Sequence, residues 1–184
     1  MRIETGLIYS NKFGDEVEIV EDKDKDDQWS LLIKLHNGNR NNYKVPIFEG
    51  IMGNNYLDCT VHCDNEITYV TFNIFASDDC WHGTILMKAL FEKIDNYEKA
   101  NNLKIHHVMG KLSTADKDNN WTTSIPFYLS IPKRMKDADA NKRSVKAHIH
   151  LIDDTNKRKG IGPIVDNIQD FINGNQDGYI VYHI

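Results

Sequence analysis

The chain has 184 residues, enough for one sizeable core. Its 40% hydrophobic content with 10% aromatics excludes a disordered protein. A net charge of -5 argues against a general nucleic-acid binder, which needs a basic footprint, and no apolar run approaches the roughly 18 residues of a membrane span.

Three cysteines, odd in number and sparse, fit a reducing compartment, so a cytoplasmic protein is expected. The opening MRIETGLIYSNKFG lacks the basic-then-apolar layout of a signal peptide, and none is expected. Heavy use of Asn, Asp, Lys and Ile resembles proteins of AT-rich bacterial or phage genomes, a compositional association without mechanism.

The first half reads as strands. EVEIV is followed by acidic EDKDKDD (21–27), expected as a solvated hairpin loop, and then by WSLLIKL. Trp29, Leu31, Ile33 and Leu35 alternate there to give one apolar face. Asn37-Gly38 marks a turn before NYKVPIF, which Pro46 keeps at an edge. YLDCTVHC and ITYVTFNIF follow, making about six strands before residue 77.

The period then changes. Leu86, Met87, Leu90, Phe91, Ile94 and Tyr97 recur at helical spacing from Thr84 to Ala100, and Asn101-Asn102 supplies a left-handed stop. KIHHVMGKL is a strand. SIPFYLSIPKRM is ambiguous between a short helix and an extended piece, because Pro126 and Pro132 limit it. SVKAHIHLI and GYIVYHI are strands on either side of a helix expected over 163–173. The expected fold is one α+β domain over 1–184, with a mixed, largely antiparallel sheet and two main helices, about 84–100 and 163–173. Its amino-terminal half, about 1–76, is β-rich, and its carboxy-terminal half, about 77–184, is α/β.

The sharpest chemical signal is TNKRKGIGPIVDNIQDFI, residues 155–172. Gly162 suits an N-cap and Pro163 the first helical position, with Ile164, Val165, Ile168, Phe171 and Ile172 as one stripe. Open amides at such a start, the positive end of the helix dipole, and Lys157, Arg158 and Lys159 nearby together favour an anion. Gly160 and Gly162 let a phosphate approach the backbone. The competing reading is a lysine-rich surface connector.

Strand, KRKGIG and amphipathic helix together resemble the acyl-CoA pyrophosphate loop of the GNAT acyltransferases, whose pattern is Gln/Arg-x-x-Gly-x-Gly/Ala. Lys157 stands where Gln or Arg is usual, and Gly160 and Gly162 match. ITYVTFNIF, the helix 84–100, KIHHVMGKL and SIPFY are also similar to that family's strand-helix-strand-helix order. That resemblance implies Tyr128 as general acid for the leaving thiolate, and acetyl-CoA or another acyl-CoA as cofactor. In this second placement ASDDCWHG replaces the glycine-rich loop, and Asp78 and Asp79 repel a pyrophosphate.

Other clusters invite other chemistry. Cys59, His62, Cys63, Cys80 and His82 suggest zinc, but strand alternation sends Leu57, Cys59, Val61 and Cys63 to the core and His62 away, and no short Cys-x-x-Cys pair exists. No metal is expected. Cys80 ahead of a helix, with His148 or His150 on a later strand, follows the order of papain-like cysteine hydrolases. Asp78 and Asp79 beside it oppose a thiolate, and the simple alternative is Asp78 as a helix cap. His148 and His150 share a strand face, expected to be solvated or to line a cleft, opposite core-facing Val145, Ala147, Ile149 and Leu151. Three functions are carried forward: an N-acyltransferase binding a phosphorylated ligand at 157–162, a non-catalytic protein-binding protein of phage or mobile-element type, and a cysteine hydrolase using Cys80.

Overall fold

The computed structural model describes residues 1–64, 66–77, 80–113, 117–138, 144–153, 161–174 and 176–184. The fold is α+β, with mixed, mostly antiparallel pairing of ten strands and with three helices among the described residues. These elements gather in two compact units. Unit 1 comprises Met1–Glu66 and Phe72–Lys104, and unit 2 comprises Ile67–Thr71 and Ile105–Ile184.

In unit 1, β1 (Arg2–Ser10), β2 (Glu16–Lys25), β3 (Gln28–Asn37) and β5 (Ile51–Cys63) are successive antiparallel neighbours, and β4 (Ile47–Phe48) pairs with β5. The last residues of β6 (Thr68–Ala76), from Phe72 on, belong here beside β5. Alternation decides which face is buried. Trp29, Leu31 and Ile33 of β3 and Leu57, Cys59 and Val61 of β5 are all buried. Against β3 and β5 lies α1 (His82–Asn101), with Leu86, Met87, Leu90 and Ile94 enclosed. Asn102, at φ 50°, caps its end by donating its N–H to the Glu98 carbonyl.

The acidic stretch 21–27 is not the solvated loop that its composition predicts. Residues to Lys25 continue β2, and only a tight turn at Asp26–Asp27 separates it from β3. Glu21 is buried there because Lys93 of α1 reaches both its carboxylate oxygens, at 2.7 and 2.6 Å. The same ammonium sits 5.1 Å above the Trp29 ring, whose edge meets Tyr97. Charge pairing across a helix and a strand thus turns an acidic run into packed structure.

In unit 2, β10 (Gly178–His183) lies between β7 (Ile105–Leu112) and β8 (Lys146–Ile152), antiparallel to both, and β9 (Ile161–Ile164) pairs with the outer side of β8. Thr68–Thr71 of β6 neighbours β7. The ambiguous SIPFYLSIPKRM is part of a long helix, α2 (Lys117–Ala138), despite Pro126 and Pro132 inside it.

A proline within a helix has no N–H for the carbonyl four residues earlier. For Pro132 that carbonyl belongs to Tyr128, and the hydroxyl of fully buried Tyr182 donates to it at 2.9 Å. For Pro126 it belongs to Thr122, an exposed residue. Burial of Trp121, Ile125 and Ile131 holds the rest of α2 in place. The helix expected over 163–173 is instead β9 followed by α3 (Ile168–Asn173), and the Trp121 and Phe171 rings stack at 4.9 Å between α2 and α3.

Candidate functional site

Lys157, Arg158, Lys159 and Gly160 lie outside the described residues. Gly162 is in β9, and no helix starts at Pro163. The local reason is a close approach of strands: a Cβ on Gly162 would stand 2.7 Å from the Leu151 carbonyl oxygen. Proline is tolerated in the outermost of these paired strands. The short helix that follows begins at Ile168, and its first-turn amide at Asp170 is taken by the Asn167 side chain at 3.1 Å. The electrostatic basis of the expected cradle, open amides directly after Gly162, is therefore missing from the described chain.

Tyr128 is half-buried on α2, with its ring tilted against Phe127 at 5.2 Å. Cys80 is a buried thiol of unit 1, while His148 and His150 belong to unit 2. The expected cap, Asp78, lies outside the described residues. The N-cap of α1 is Trp81, in the left-handed region at φ 67° and with no side-chain cap. Cys59 is enclosed on β5, its thiol pushed up to about 12 mainly by burial, whereas Cys63 is exposed rather than core-facing. Among the described residues no group of three or more His, Cys, Asp or Glu is arranged to hold a metal ion.

Two polar assemblies emerge that sequence spacing does not reveal. In unit 1, buried Asn11 donates to the Tyr43 hydroxyl at 2.6 Å and lies 3.2 Å from Nε2 of fully buried His82. Its carbonyl oxygen accepts from the amides of Phe13 and Asp15, and Tyr43 in turn donates to Asp15 at 2.6 Å. The Tyr43 hydroxyl is held far above its ordinary value by burial and by the Asp15 hydrogen bond. This network closes the turn between β1 and β2.

Unit 2 gathers histidines. In antiparallel ladders directly paired residues share a face, and β10 pairs His183 with His107 and Lys146, Val181 with His148, and Tyr179 with His150. His107, His148, His150 and His183 thus project to one side. His150 is buried rather than solvated, and its Nδ1 lies 2.8 Å from the Gly162 carbonyl oxygen. A carbonyl only accepts, so Nδ1 carries a proton, and the tautomer with its other nitrogen bare presents a lone pair at Nε2. That Nε2 is 3.1 Å from Nε2 of His183. The His148 ring lies 5.7 Å from His183 and 6.5 Å from His150, centre to centre. Nδ1 of His106 is 2.9 Å from Nδ1 of His107, whose ring stacks on Tyr69. Burial first, then neighbouring His150, His148 and His106, holds His183 below the usual imidazole range.

His148 and His150 were visible as an alternating pair. His183 was not, because it sits on the last strand and only the insertion of β10 between β7 and β8 brings it near. The remaining legible signal was that each of the strands β7, β8 and β10 carries histidine at all. No protein family, curated protein or solved structure matches this chain.

Proposed function

We propose that the chain is an acyl-CoA-dependent N-acyltransferase-like protein. The observation that carries this reading is the chain order β6, α1, β7, α2, with Tyr128 on the helix that follows the second of these strands. The order agrees with the GNAT-like strand-helix-strand-helix series, in which that tyrosine protonates the departing thiolate while the acyl group passes to an amine. The phosphorylated part of the donor is met by the cations Lys157, Arg158 and Lys159 through charge-assisted hydrogen bonds, since no helix start at Pro163 contributes.

Acetyl-CoA should raise the melting temperature of the native chain, because a ligand specific for the folded state stabilises it by mass action. Lys157→Ala with Arg158→Ala should remove that rise. No shift with the native chain, or an undiminished shift in the double variant, overturns the reading. With an amine acceptor, Tyr128→Phe should lower kcat by about 10²-fold or more with little change in KM.

A second reading, a binding protein without turnover, is favoured by exposed aromatics in unit 1. Phe13, Phe48, Phe75 and Trp81 are 49, 76, 46 and 53% exposed. Trp81 is presented on a backbone conformation that costs a bulky residue energy, and such outliers concentrate at functional positions. Under this reading Trp81→Ser abolishes capture of a partner that the native chain retains, and acetyl-CoA has no effect on either. Equal capture by both chains discards it.

A further inference from the structure

We propose that His150 and His183 are the protein ligands of a divalent transition-metal ion of the zinc, copper or nickel class, with water or an incoming ligand completing its coordination. The inference is independent of acyl transfer. Two nitrogens bound to one ion at 2.0–2.1 Å stand about 3.3 Å apart in tetrahedral geometry and about 2.9 Å apart at a right angle. The two Nε2 atoms here are 3.1 Å apart, between those limits.

Ligand orientation is prepared as well. The Gly162 carbonyl fixes the proton of His150 on Nδ1, which is how metal-binding imidazoles are commonly held. It leaves Nε2 of a buried ring open as a donor atom, 3.1 Å from Nε2 of His183. Imidazole donors select zinc, copper and nickel over calcium and magnesium, which prefer oxygen. His148 stands farther out, and no third described residue completes a set, so positions stay open on the ion. The competing use of the same geometry is a single N–H···N hydrogen bond between the two rings.

Chelator-treated full chain should take up one equivalent of zinc in a calorimetric titration. His150→Gln and His183→Gln should each weaken uptake on the order of tenfold or more, while His36→Gln, on the exposed end of β3, leaves it unchanged. Because His150 is enclosed and its variant can unfold, the native chain is also loaded with copper(II), whose electron paramagnetic resonance should carry hyperfine splitting from two imidazole nitrogens. Saturable binding with that signature supports the site. No saturable uptake, uptake undiminished in folded variants, or a copper spectrum with fewer than two imidazoles overturns it and leaves the hydrogen bond as the role of the pair.

Discussion

Tyr182 is a buried ring whose hydroxyl offsets a defect elsewhere, the carbonyl of Tyr128 left open by Pro132. Tyr182→Phe should therefore cost about 1–3 kcal/mol in urea unfolding, the range for stranding a buried polar group. Pro132→Ala restores the missing N–H, and in that background the cost of Tyr182→Phe should shrink; equal costs in a double-mutant cycle would refute the coupling. The cysteines make a second residue-scale test. At neutral pH a thiol reagent should label exposed Cys63 in the native chain, and Cys59, enclosed and with its thiol pushed up to about 12, only on unfolding. Asp15 gives the pH dependence. The Tyr43 hydroxyl, then Asn42, hold its carboxyl below the ordinary value of 3.8. A depressed carboxylate contributes stability that is present above its unfolded value and lost as pH falls through the folded one. Tyr43→Phe should therefore flatten the fall in melting temperature below about pH 4.

Strands β3, β5, β6, β7, β8 and β10, together with α1, were legible because their patterns are local. β3 alternates cleanly, α1 follows a helical stripe, and Asn102 adopts the left-handed cap its type permits. What failed to show depends on partners far along the chain. Residues 21–25 read as loop until Lys93 is available to neutralise Glu21. Residues 161–164 read as a helix start until Leu151 is seen to demand a glycine beside it. Of the candidate site, two histidines were visible and the third required the placement of β10. The packing of α3 yields its own prediction. A Cβ at Gly178 would meet the Phe171 ring at 2.7–2.8 Å and the His150 carbonyl at 2.9 Å. Gly178→Ala should destabilise by about 1–3 kcal/mol, read from the urea midpoint, as overpacking does. Little change would mean that Phe171 can move aside.

At the scale of the whole molecule, composition already excluded a disordered chain, and the change of hydrophobic period along it suggested the α+β class. It could not supply the division of contacts, which runs through β6. Tyr69, in the part of β6 assigned to unit 2, stacks on His107 at 5.0 Å and 6°. A fragment of residues 105–184 lacks that segment, so it should melt without a cooperative transition by circular dichroism. A sharp transition would show that Ile67–Thr71 is dispensable to unit 2.

The divided strand also sets a timetable for synthesis. Ile67–Thr71 leaves the ribosome long before β10, the last strand of its unit, has been translated. At bacterial and eukaryotic elongation speeds the delay is on the order of ten seconds. Until the end of that interval the nascent chain carries Tyr69 and its neighbours without β10, the strand that pairs with both β7 and β8 of their unit.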